Sequence, residues 1–101
     1  MENSYEVFKR EAPTAASAFD GLIRAISESG SLDAKTRQLI YIGIKASQGD
    51  ERAVAAHVPM AKAAGATREE IKDTILVTLT VSGVKGVLSC LPSALGIYDR
   101  I

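Results

Sequence analysis

Three helix boundaries stand between Asp33 and Thr67, and they constrain the fold more than any other feature. Asp33 is a plausible N-cap for the segment "AKTRQLIYIGIKASQ", and Gly49 follows as a stop. Asp50 then caps "ERAVAAHVPMAKAA", and Gly65 ends it. Thr67-Arg68-Glu69-Glu70 reads as a capping box, with Thr67 as cap and Glu70 reaching back. The stretch "LIYIGI" could be a strand on β-propensity alone. The cap before it, its polar flanks and the glycine after it favour a buried helix instead.

The same punctuation extends outward. "SYEVFKREA" predicts a short helix that stops before Pro13, because the residue before proline disfavours helical geometry. From Thr14, Ala15, Ala18, Phe19, Leu22, Ile23 and Ile26 fall on one face of a 3.6-residue period. Gly21 weakens that helix and Gly30 is its expected C-cap. After Thr67, Ile71, Ile75, Leu79 and Ser82 form one ridge. Gly83 and Gly86 are expected to loosen the chain before a last helix carrying Val84, Val87, Leu88, Leu91 and Leu95. Pro92 should kink that helix near Leu88. The expectation is an all-α fold of five to six helices with short connections and no strand.

At 101 residues the chain suits a single domain over 1–101. A domain this small typically buries only about 60–70% of its unfolded surface, so subunit contacts could add stability. The helices from Asp33 onward are apolar over more than one face, which a symmetric oligomer would cover. Twelve basic and twelve acidic residues balance, and no basic run or aromatic interleaving points to nucleic acid. The most apolar stretch, "TILVTLTVSGV", is shorter than the roughly 20 residues a bilayer requires, so no membrane partner is expected. The N-terminal "MENSYEVFKREAP" has no signal-peptide pattern, and a cytoplasmic location is the default. The lone cysteine, Cys90, and lone histidine, His57, exclude an intrachain disulfide and a multi-cysteine zinc site; neither metal nor cofactor is expected.

His57 is the residue most suited to chemistry, since an ordinary histidine titrates near neutrality. On a regular helix it shares a face with Asp50 and Ala53, with Asp50 about 10 Å away along the axis. Ala53 leaves a small-walled gap that could admit a ligand. Gln38, Tyr41 and Lys45 could orient an acid or lactone. Arg37 and Arg52, like Lys45, are candidate anion binders, although most helical charges are solvated faces or i, i+4 pairs. A lone histidine on an apolar helix is also commonly a hydrogen-bonded packing residue, and Cys90 reads as a small buried hydrophobe. Pro59 removes the bond from its own nitrogen to the Ala55 carbonyl and should bend the helix near His57.

Four segments taken in order, "SLDAKTRQLIYIGI", "AAHVPMAKAAGATREEI", "TILVTLTVSGVKGV" and the closing helix, resemble the carboxymuconolactone decarboxylase family, which includes alkylhydroperoxidase D-like proteins. The resemblance covers about residues 17–100. It implies a helical homo-oligomer, often a hexamer built as a trimer of dimers. It also implies one of two activities. The redox branch carries Cys-x-x-Cys, then His four residues later, with a glutamate upstream; this is the source of a peroxiredoxin label. Here those cysteine positions hold Asp50 and Ala53, and the glutamate position holds Gln38, so only His57 remains. A peroxidatic site needs a thiolate and a resolving thiol, which ranks that activity last. The other branch decarboxylates a muconolactone. It implies His57 as acid–base group acting on a small carboxylate or lactone, with Gln38, Tyr41, Lys45, Asp50 and Ala53 around the ligand. A helical oligomer that binds a ligand without catalysis is the alternative.

Overall fold

A computed structural model describes residues 3–101. Six helices of eight residues or more and one single-turn segment account for the described elements, and there is no strand among them. The all-α expectation holds. No described helix is long and apolar enough to cross a membrane. The chain divides into two compact units, Met1–Ser31 and Leu32–Ile101.

In the first unit, α1 (Ser4–Glu11) starts at Asn3, whose side chain accepts from the Glu6 N–H at 2.8 Å. It stops at Ala12 because Pro13 follows. Pro13 then opens α2 (Pro13–Glu28) at the one position where a missing N–H is harmless. Phe8 of α1 meets Phe19 of α2 edge to face, with ring centroids 6.1 Å apart. The end of α2 differs from the expected glycine cap. Ser29 closes it, its hydroxyl donating to the Ile26 carbonyl at 3.1 Å, and Gly30 takes no left-handed conformation. A side-chain bond to the last turn therefore replaces the glycine turn here.

The second unit contains α3 (Ala34–Ser47), α4 (Glu51–Ala63), α5 (Arg68–Val77), the single turn α6 (Leu79–Ser82) and α7 (Lys85–Arg100). All three expected caps form. Asp33 accepts from the Thr36 N–H at 2.8 Å and Asp50 from the Ala53 N–H at 3.1 Å. Thr67 accepts from the Glu70 N–H while Glu70 accepts from the Thr67 N–H, which completes the box. Glu70 also takes an ion pair from Lys35 at 2.9 Å, tying α5 to the start of α3. Gly49 (φ +72°) and Gly65 (φ +101°) turn the chain at either end of α4, in the left-handed region that glycine enters without a Cβ clash.

The core of this unit is aliphatic: Ile42, Val54, Val58, Ile71, Ile75 and Cys90 are all fully buried. Each large aliphatic contributes about 1.5–3 kcal/mol by leaving water. "LIYIGI" is helical, as expected, but buried on one side only: Ile42 is enclosed while Ile40 and Ile44 remain about half exposed. Gly86 also departs from expectation. It does not loosen the chain, because it lies buried inside α7, where a Cβ would fall 2.3 Å from the Ala46 carbonyl oxygen. The loosening falls to Gly83 alone, at φ +79° between α6 and α7. Helices α4 and α7 continue on both sides of Pro59 and Pro92. At the far end of α4, Lys62 donates to the Tyr98 carbonyl at 3.0 Å and Tyr98 Oη donates to the Ala66 carbonyl at 2.8 Å. This clasp fixes α4, and with it His57, against α7.

Candidate functional site

Helix α3 presents Gln38, Tyr41 and Lys45 at i, i+3 and i+7, which places them on one face. The turn at Gln48–Asp50 folds α4 back along that face. His57, just under two turns into α4, reaches all the way to α3. Its Nδ1 lies 2.8 Å from Gln38 Oε1, and its ring stacks on Tyr41 with centroids 3.6 Å apart and planes at 21°. With the amide oxygen as acceptor, Nδ1 carries the proton and Nε2 presents its lone pair. The imidazole is thus held in plane, in orientation and in tautomer by two neighbours.

The electrostatics act in the same direction. Burial pushes the His57 pKa below its ordinary value, and the Lys45 ammonium adds to the effect. Both effects favour the neutral ring over the imidazolium. A carboxylate in place of Gln38 would favour the imidazolium, whereas an amide only accepts the N–H. Lys45 makes a loose ion pair with Asp50 at 3.8 Å, and both side chains remain partly exposed. The other oxygen of Asp50 is engaged with the Ala53 N–H.

Two contact sets therefore result from the six expected site residues. Gln38, Tyr41 and His57 touch one another; Lys45 and Asp50 pair with each other, and Asp50 caps the turn at Ala53. The sequence indicated which residues share the face, but not that Gln38 and Tyr41 act on the imidazole itself. Sequence reasoning also missed a second feature, an apolar cleft of about 410 Å³ between α3 and the α5–α6 segment. Its walls include Ile40, Ile44, Val77 and Val81 and none of the six site residues. The signal for it was the second apolar face of α3.

Cys90 belongs to the core, with no exposed surface. Burial pushes its thiol pKa up, and the Glu51 and Asp50 carboxylates push it further. A thiol so placed is a poor nucleophile. Ellman's reagent is expected to label Cys90 roughly a hundredfold or more slower in the native protein than in denaturant, because attack must wait for local opening. Equal rates in the two states would show that the thiol is accessible.

The sequence profile described as the Carboxymuconolactone decarboxylase family matches residues 11–94. The chain belongs to this family. Among relatives of this family member, an uncharacterized protein of Methanocaldococcus jannaschii is 38% identical over 80 residues, 78% of this chain and 77% of the relative. An uncharacterized protein of Cupriavidus necator is 29% identical over 89 residues, 88% of this chain and 78% of the relative. Solved structures share the fold. A candidate carboxymuconolactone decarboxylase from Burkholderia xenovorans superposes with a TM-score of 0.86 at 18% identity, covering 99% of this chain and 78% of that one. The ligand-free form of a carboxymuconolactone decarboxylase family protein from Legionella pneumophila gives 0.82 at 24% identity, covering 94% and 84%.

Proposed function

We propose that this family member performs acid–base chemistry on a small carboxylate or lactone, with His57 as the proton-transfer group. The observation that carries the proposal is the imidazole held in place by two neighbours. Gln38 holds Nδ1, Tyr41 holds the ring plane, and Nε2 has no protein partner among the described residues. A group prepared in this way enters a reaction as a base. Nε2 accepts a proton from a hydroxyl, or from a carbon beside a carbonyl, where the charge left behind spreads onto oxygen. Lys45 supplies the positive charge that stabilises that oxygen, provided it leaves its loose contact with Asp50.

Decarboxylation fits the same apparatus with one condition. Converting R–COO⁻ to R–H and carbon dioxide consumes a proton. A neutral His57 must first take that proton, from the substrate or from water, and then deliver it to the carbanion as imidazolium. Gln38 cannot relay it, because an amide does not exchange protons as a carboxylate does. We place this chemistry in the cytoplasm, where a lone thiol such as that of Cys90 stays reduced.

The test uses lactone carboxylates of the muconolactone type in D₂O. The wild type is expected to release carbon dioxide or to incorporate deuterium beside the lactone carbonyl, followed by NMR. His57→Gln is expected to lose a hundredfold or more, on the usual range of about 10²–10⁴ for general acid–base catalysis. A His57→Gln protein that retains the wild-type rate sinks the assignment. A wild type inert toward the whole panel favours ligand binding without turnover.

A further inference from the structure

We infer that the Tyr41 hydroxyl binds the carbonyl oxygen of the substrate, and that the substrate is a lactone with a C–H beside that carbonyl. The inference rests on the proposed role of His57 and narrows it, from carboxylates and lactones in general to lactones that can form an enolate.

The two tyrosines of the Leu32–Ile101 unit are used differently. Tyr98 Oη donates to the Ala66 carbonyl at 2.8 Å, which is what a tyrosine in a packed position usually does with its hydroxyl. Tyr41 is also half-buried, yet its Oη has no partner among the described residues, and its ring contact is the stack on His57. No buried polar side-chain atom lacks a partner among those residues, so this hydroxyl opens to solvent, as does His57 Nε2. Stacking does not account for it, because a phenylalanine ring would hold the imidazole plane equally well.

The stack brings the two open atoms together. The ring centres are 3.6 Å apart and the planes 21° from parallel, so by ordinary ring dimensions Oη and Nε2 lie roughly 3–6 Å from each other however the rings are turned. One carbonyl fragment spans that gap. Its oxygen and the carbon beside it are about 2.4 Å apart from standard bond lengths. Hydrogen-bond reach of about 2.6–3.2 Å at each end completes the bridge.

The chemistry selects the fragment. The C–H bond breaks, Nε2 takes the proton, and the electron pair left on carbon shifts onto the carbonyl oxygen. Tyr41 keeps its own proton and donates more strongly to that oxygen as charge gathers there. Return of a proton from the imidazolium restores the lactone, so the cycle consumes no other reactant. A carboxylate already carries charge on its oxygens, and a second electron pair there is opposed by repulsion. A lactone carbonyl is neutral and has no such penalty. Lys45 reaches the oxygen only after leaving Asp50, and the Gln38 carbonyl oxygen is engaged with Nδ1, whereas Tyr41 donates from its place in the stack.

The experiment compares the wild type with Tyr41→Phe, which keeps the stack and loses the hydroxyl. Deuterium uptake beside the lactone carbonyl in D₂O is expected to fall about a hundredfold, as when one oxyanion donor is removed, with the loss in kcat rather than KM. The His57 titration, read by NMR, is expected to stay in place in Tyr41→Phe and to move in Tyr41→Leu, which removes the stack. Tetronic acid, a lactone that is a stable enolate in neutral water, gives a readout without turnover. The wild type is expected to bind it at least tenfold more tightly than Tyr41→Phe does. Shifts of the Tyr41 ring protons on adding tetronate to the wild type are also expected, and they test the contact even where a variant fails to fold. Equal tetronate affinity in the two proteins, or no binding by either, overturns the inference. So does wild-type uptake in Tyr41→Phe, or a His57 titration displaced in that variant, since the hydroxyl would then act through the imidazole. Tetronate binding that depends on Tyr41, in a wild type that exchanges no deuterium, supports the contact and defeats the His57 base reading alone.

Discussion

Gly86→Ala is expected to lower the unfolding free energy of the Leu32–Ile101 unit by about 2 kcal/mol, and its midpoint by on the order of 10 °C. Two effects compete. Alanine is the better helix former, which favours the variant by about 1 kcal/mol. Against this, the new Cβ would lie 2.3 Å from the Ala46 carbonyl oxygen, 2.9 Å from its carbon and 3.1 Å from Thr78 Oγ1. The nearest obstacle is backbone in the middle of the core, so it cannot swing aside as a side-chain tip would. Separating α3 from α7 loosens the packing around Ile42 and Cys90, and overpacking of this kind costs about 1–3 kcal/mol or more. The clash wins. Gly96→Ala supplies the contrast within the same helix: its Cβ meets only the tip of Arg100 at 3.4 Å, so the propensity gain should survive. Urea denaturation of both variants measures the difference. A Gly86→Ala protein as stable as Gly96→Ala would mean that α3 and α7 do not approach this closely.

That contrast also shows what could be read from the sequence. Asp33, Asp50 and Thr67 announce helix starts because a cap is a local device, closed within three residues by its own hydrogen bond. The helical character of "LIYIGI" followed from those caps. Gly86 could not be read in this way, because the residue that requires a glycine there, Ala46, is remote in sequence. A glycine that turns the chain and a glycine that admits a neighbouring helix look identical as letters. Gly30 misled for a related reason: the Ser29 hydroxyl had already closed the helix. At the site, helical spacing placed Gln38, Tyr41 and Lys45 on one face. What spacing could not give was the reach across to α4, which decides that Gln38 and Tyr41 hold the imidazole and that Lys45 biases its charge.

Gln38→Glu should reverse the charge preference of His57. In the wild type, burial and Lys45 hold the imidazole neutral, and the Gln38 amide offers an acceptor without charge. A carboxylate at the same 2.8 Å contact favours the imidazolium directly. An opposite charge at such range typically moves a titration by about 1–3 pH units, so the imidazolium-to-imidazole ratio at fixed pH should rise at least about tenfold. Imidazole carbon-bound proton shifts, followed by NMR across pH, report the change. Stability must follow with opposite sign in the two proteins. Wild-type His57 has a folded pKa below its ordinary value of 6.5, so between the two values the unfolded chain binds more protons. Its contribution is therefore present above about 6.5 and lost as pH falls through the folded value. Where the carboxylate outweighs burial and Lys45 and lifts the folded pKa above 6.5, the contribution is present below the unfolded value and lost as pH rises through the folded one. If His57 works as a base, the acid limb of any activity moves to higher pH in Gln38→Glu, and the rate at neutral pH falls. An unmoved His57 titration would mean that the 2.8 Å contact does not govern its proton, and the neutral-base reading would fail with it.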